Sequence, residues 1–242
     1  MQRGGLRSFV RGIISKSGFT IRRLTPLTSF DYQKTKIISS LGIDLCIDGG
    51  ANVGLYGVGL REFGYAGKII SIEPSSDAFR KLEARSAGDE LWTAHHLAVG
   101  DRSATLELHV TANSVSSSLL KPAGNSFNDA VGAVTVKTEP VEVVRLDVFI
   151  PTVAPTASKI FLKLDVQGFE PLALAGAEGL LAKTPLIELE LGIQSLYEEA
   201  GDWLSLVQIL REKGYEIVAV QSNTVDAWDR TIEINALFER RG

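Results

Sequence analysis

Apolar and polar positions along this chain change period in an order that predicts alternating strands and helices. Leu45-Cys46-Ile47 is a short continuous apolar run that closes on Asp48 and a glycine-rich turn, the pattern of a buried strand. A helix is expected over 53–63, ending near Gly64. Lys68 to Glu73 (KIISIE) reads as a second strand, stopped by Pro74. Ser75 or Ser76 can cap the helix that follows, which carries Ala78, Phe79 and Leu82. Residues 92–99 (WTAHHLAV) read as a third strand.

The regular alternation then breaks. Residues 103–110 (SATLELHV) alternate like a half-exposed strand, and residues 133–146 alternate again. Between them, 111–132 is rich in Ser, Asn and Gly, so a hairpin with a long loop is expected, of the kind that is usually functional or disordered. The strand pattern resumes with IFLKLDV (160–166), a helix over 171–183 and PLIELELG (185–192). A helix over 203–213 presents Leu204, Val207 and Leu210 along one face and closes at Gly214. YEIVAVQ (215–221) and TIEINALFE (231–239) are two strands joined by a polar turn. The fold class expected is α/β: a doubly wound, mostly parallel, Rossmann-like sheet of the class I methyltransferase kind. It has a C-terminal antiparallel strand pair and a β-hairpin insertion after the third strand.

Residues 1–24 stand apart. They carry Arg3, Arg7, Arg11, Lys16, Arg22 and Arg23 and no acid, with Leu6, Phe9, Val10, Ile13 and Ile14 at helical spacing. Residues 1–30 are therefore read as a basic amphipathic appendage to a domain over 31–242, making at most a weak contact with an anionic membrane surface. The whole chain is ordinary by contrast: 45% hydrophobic, 22% charged, net charge −4. That balance gives no reason to expect nucleic acid. One cysteine, Cys46, excludes an internal disulfide and a Cys-based zinc site. With no membrane span and no secretory signal in the sequence, the expected location is cytoplasmic, or peripheral at the inner face of a membrane.

The candidate chemistry sits at strand ends. In a doubly wound sheet the turn Asp48-Gly49-Gly50-Ala51-Asn52-Val53-Gly54 lies where ligands bind. The glycines admit a ligand close to the backbone. Asp48 brings negative charge that suits the cationic part of S-adenosylmethionine better than a pyrophosphate. The dinucleotide pattern Gly-x-Gly-x-x-Gly fails in every register, and no Gly-Lys-Ser/Thr follows for a phosphate loop. Glu73, ending the second strand, can accept hydrogen bonds from ribose hydroxyls. Lys163 and Asp165 share a face of an apolar strand, which is costly unless they are paired or open to a cleft.

These segments resemble the FkbM family of methyltransferases: IDGGANVG (47–54), SIEP (71–74), LAVGD (97–101), SVSSSLL (114–120), RLD (145–147) and LKLDVQGFE (162–170), in order from about residue 30 to the end. The Gly49–Gly50 pair is a modest departure. The resemblance implies O-methylation, with S-adenosylmethionine as cofactor and a small-molecule or glycan hydroxyl as acceptor. It implies Asp48, Gly49, Gly50, Ala51, Asn52, Gly54 and Glu73 in cofactor binding, and Asp101 in the region that meets adenine.

An acceptor hydroxyl must be aligned with the methyl group and lose a proton. Asp165 is the first candidate for general base, and Lys163 a second that needs a depressed pKa. In another scheme Asp165, Glu170 or Glu188 holds a divalent cation that orients the acceptor. For Glu170 the competing reading is a favourable charge at a helix start. Two other classes stay open: a nicotinamide-dependent oxidoreductase, disfavoured by the glycine spacing, and a silent S-adenosylmethionine-binding interaction module.

Overall fold

A computed structural model describes residues 23–124 and 132–241, so the expected basic helix within residues 1–22 lies outside the described residues. The chain builds a seven-stranded sheet in the order β3-β2-β1-β7-β8-β10-β9. Its strands are β1 (Leu45–Gly49), β2 (Lys68–Ile72), β3 (Trp92–His95), β7 (Ile160–Leu164), β8 (Leu186–Gly192), β9 (Tyr215–Val225) and β10 (Thr231–Arg240). The first five in that order run parallel, and β10 pairs antiparallel with both β8 and β9. The chain reverses direction across the sheet between β1 and β7, which opens a crevice beyond their carboxyl ends.

Helices cover both faces, as buried parallel strands require. On one side lie α1 (Phe30–Leu41), α2 (Leu55–Glu62) and α3 (Ser76–Ser86), whose Ile38, Leu60 and Leu82 pack with Ile69, Trp92 and Phe161. On the other lie α4 (Leu146–Val153), α5 (Glu170–Ala175) and α6 (Trp203–Glu212), whose Leu146, Leu174 and Leu210 pack with Ile47, Leu162 and Leu189. Among the described residues no helix is long and apolar enough to cross a membrane.

Three departures from the sequence expectation matter. The third strand is not continuous: after His95 the chain turns, with Leu97 N donating to His95 O at 3.1 Å, and β4 (Ala98–Val99) leaves the main sheet. It pairs parallel with β6 (Thr135–Val144), which pairs antiparallel with β5 (Ala104–Thr111), so the insertion forms its own three-stranded sheet. The helix expected over 171–183 is α5 followed by a 3-10 turn, Glu178–Lys183. The break falls at Gly176, where a Cβ would stand 1.8 Å from Gly100 O, so the chain there packs directly on the end of β4. Finally, α1 and α4 had no counterpart in the expectation. Helix α1 starts at a Ser29 side chain that accepts from Tyr32 N, and ties to the sheet through Gln33 Nε2 donating to Val218 O at 3.2 Å.

Candidate active site

The turn after β1 is shaped by backbone that most residues avoid. Gly50, Asn52 and Gly54 all have positive φ, at 75°, 46° and 83°. Gly50 is required twice over, because a Cβ there would sit 1.7 Å from Asp165 O. The turn therefore presses on the end of β7, while Gly50 N and Ala51 N both donate to Ile72 O at 3.0 Å. The ends of β1, β2 and β7 are locked into one rim.

Glu73 stands on that rim. Its carboxylate accepts from Asn52 N at 2.7 Å and from Ser75 N at 2.9 Å, keeping lone pairs free for further donors. Burial raises its pKa, and the two N–H groups only partly oppose this, so it is pushed up to about 7. The cavity it borders, about 630 Å³, is also lined by Gly50, Asn52, Val99, Ser117 and Asp165. A buried acid over a backbone cradle, with apolar Val99 and Phe169 beyond it, fits the ribose and flat base of an adenosine ligand.

The insertion closes this cavity from above as a strap. Asn52 Nδ2 donates to Ser114 O at 3.0 Å, and the Ser118 hydroxyl donates to Gln167 O at 2.7 Å. Tyr197 pins it from the far side, its hydroxyl lying 2.9 Å from Ser116 O and 2.7 Å from Gln167 Oε1.

Gly50, Asn52, Glu73 and Asp165 thus meet at one cavity, and the remaining expected cofactor residues stand behind it or away from it. Gly49 and Ala51 belong to the packed turn, and Gly54 backs on Leu82 and Trp92. Asp48 is fully buried beneath the rim, with Lys163 Nζ 3.1 Å from its Oδ1 and Ser71 Oγ 3.2 Å from its Oδ2. Asp101 lies outside the cavity lining, near Arg102, with its carbonyl accepting from Arg145. The turn after His95 and the packing of Gly100 against Gly176 carry it there.

Lys163 corrects the expectation of a second base. Its ammonium is buried, 3.5 Å from Asp165 Oδ2 as well as paired with Asp48, and donates to Gly50 O at 3.0 Å. Burial opposes its charge, yet the two carboxylates outweigh that and hold its pKa above the ordinary lysine value, the reverse of what a base needs. The possible cation ligands are not brought together either. Glu170 turns back to accept from Val166 N at 2.8 Å, closing the turn into α5. Glu188 is already engaged, paired with Lys34 and accepting from the Tyr56 hydroxyl. Among the described residues no three His, Cys, Asp or Glu side chains converge where a metal ion could sit.

Sequence reasoning missed Gln167 and Glu190. Gln167 has φ 57°, unusual for a side chain of its size, and aims its Nε2 at Asp165 Oδ1 (2.8 Å) and Glu190 Oε2 (2.6 Å). Tyr197 fixes the other end of that amide. The signal was the Gln167-Gly168 pair just past an apolar strand, a place for backbone with positive φ.

A model of the methyltransferase FkbM domain matches residues 48–217. No curated protein sequence matches the chain. Among solved structures, TehB from Haemophilus influenzae is similar with a TM-score of 0.46 at 12% identity, over 90% of this chain and 64% of that one. Magnesium protoporphyrin IX methyltransferase from Synechocystis PCC 6803, with S-adenosylmethionine bound, gives 0.45 at 11%, over 97% of each chain. Aeropyrum pernix fibrillarin, also with S-adenosylmethionine bound, gives 0.45 at 10%, over 86% of this chain and 75% of that one.

Proposed function

The chain belongs to the methyltransferase FkbM domain family, and on that premise we propose that it moves a methyl group from S-adenosylmethionine to a hydroxyl of a sugar, glycan or secondary metabolite. The family match sets aside the nicotinamide-dependent reading. One observation carries the proposal further: Glu73, a buried acid suited to ribose hydroxyls, and Asp165 line one cavity together with the Gly50–Asn52 turn.

When bound, S-adenosylmethionine supplies a methyl group activated by the positive sulfur it leaves. Glu73 is assigned to the ribose hydroxyls, and the Gly50–Asn52 backbone to the methionine portion. Asp165 carries the proton step. Its side chain is 31% exposed, against 0% for Asp48 and 7% for Lys163, so it alone of the three reaches the cavity with a free face. Lys163 and Gln167 hold its two oxygens from either side, which fixes the carboxylate toward the space an acceptor oxygen would enter. Lys163 stays charged throughout and steadies the carboxylate pair.

The test is Asp165→Asn. Affinity for S-adenosylmethionine, measured by calorimetry, is expected to stay within about twofold of the parent, while methyl transfer falls by roughly two to four powers of ten. Turnover equal to the parent's on the same acceptor removes Asp165 from the proton step. Parent protein that binds S-adenosylmethionine but methylates nothing in a glycan and natural-product panel supports the silent binding module.

A further inference from the structure

On the far side of Asp165 lies a second and larger cleft, about 820 Å³, that the donor site does not use. It opens between helices α1 and α2 on one wall and strands β9 and β10 on the other, and Asp165 lines both cavities. Methyl transfer needs two ligands meeting head-on at one point. A space contiguous with Asp165 but outside the donor cavity is where the second ligand can reach that point.

The charges of this cleft are already used. Lys34 Nζ lies 3.1 Å from Glu188 Oε2 and 3.2 Å from Asp31 Oδ1. Lys163 is held by Asp48 and Asp165. The Tyr56 hydroxyl donates to Glu188 at 2.6 Å. Among the described residues lining the cleft, no cation is left to meet a phosphate or carboxylate, and such a group would be desolvated beside carboxylates.

Two amides remain. Asn223 donates to Glu190 and keeps its carbonyl oxygen free. Asn235 makes no side-chain hydrogen bond with any described residue, although it sits half-buried on the strand face that carries core residue Leu237. A polar side chain on that face, offering donors and an acceptor with no protein partner, is suited to a neutral ligand rich in hydroxyls. Exposed Leu55 and half-buried Phe63 on the opposite wall give apolar surface for a ring face.

We infer that this cleft is the acceptor site, that it takes an uncharged polyhydroxylated ring, and that Asn235, with Asn223, selects it. The inference rests on the methyltransferase reading, and its test separates the two. The protein, saturated with S-adenosylhomocysteine, is titrated by saturation-transfer NMR with the methyl glycosides of glucose, mannose, galactose and rhamnose, and with glucose and mannose 6-phosphates. At least one neutral glycoside is expected to bind, more tightly than either phosphate. Asn235→Ala should weaken that binding about tenfold, the scale of one lost hydrogen bond, with S-adenosylmethionine affinity and melting temperature unchanged. Asn235→Asp, of the same shape but charged, should weaken it as well, which separates loss of recognition from loss of volume. The inference is overturned if no neutral glycoside binds, if the phosphates bind more tightly, or if both Asn235 variants bind glycoside like the parent. Failure of the parent to bind S-adenosylmethionine in a separate titration sinks the methyltransferase reading; normal cofactor binding with any of those three results sinks the cleft assignment alone.

Discussion

At the scale of single residues, Glu73 shows how burial and function pull against each other. Its folded pKa of about 7 stands above the ordinary 4.5 because burial penalises the charge. The folded state therefore holds the proton more tightly, so this group's contribution to stability is full below the unfolded pKa and is lost as pH rises through about 7. Hydroxyl donors on a ligand select the ionised form, so binding runs the other way. Affinity for S-adenosylmethionine is expected to rise about tenfold between about pH 6 and about pH 8, following the ionised fraction. Glu73→Gln should bind more weakly and lose that rise. Calorimetric titrations across the range check this, and the same slope in parent and variant would assign the pH dependence to another group.

At the scale of elements, the strap from the insertion is already fastened to the body rather than free to swing. Ser118 N donates to His109 O at 3.2 Å, and the strap is held from below by Asn52 and Gln167 and from the side by Tyr197. Tyr197 touches both the strap and the Gln167 amide beside Asp165. Tyr197→Phe is expected to speed hydrogen exchange over 114–118 by roughly fivefold to tenfold, as the loss of about one hydrogen bond implies. Turnover should drop with it, because Gln167 is then free to rotate away from Asp165. Unchanged exchange in 114–118 would show that the strap is held by its other contacts alone.

At the scale of the whole molecule, the centre of the sheet is organised around a buried charge. Asp48 and Lys163 are direct neighbours on β1 and β7, and both lie under the rim of the site. Removing one member leaves the other buried without a counter-charge, which typically costs about 3–5 kcal/mol. Lys163→Met should therefore lower the unfolding free energy by about that much, a large share of the roughly 5–15 kcal/mol available to a domain. Adding Asp48→Asn should recover part of it. Denaturant midpoints of the two variants measure the effect, and a single variant as stable as the parent would mean that Asp48 finds another partner or a proton.

The sequence by itself determined the strand order's raw material and the glycine turn that follows the first strand. Apolar period reports which face of an element is buried, and that information is local, so β1, β2, β7 and β8 were legible from short runs. So was the turn at 48–54, because glycines and an acid at a strand end need no distant partner to be recognised. Helix α1 was hidden by polar residues such as Lys34 on its buried face, and α4 by an apolar run holding Pro151 that fits no single period. Only the tertiary structure decided what each charge meets. Asp48 looked like a ligand-facing acid until register placed it opposite Lys163, and Lys163 looked like a possible base until the same register saturated it with carboxylates. Register between β1 and β7 is set by the packing of everything between them, which no local window contains. For the same reason Gln167, Tyr197 and Asn235 became visible only when the strap, the loop after β8 and the last hairpin were brought to one edge of the sheet.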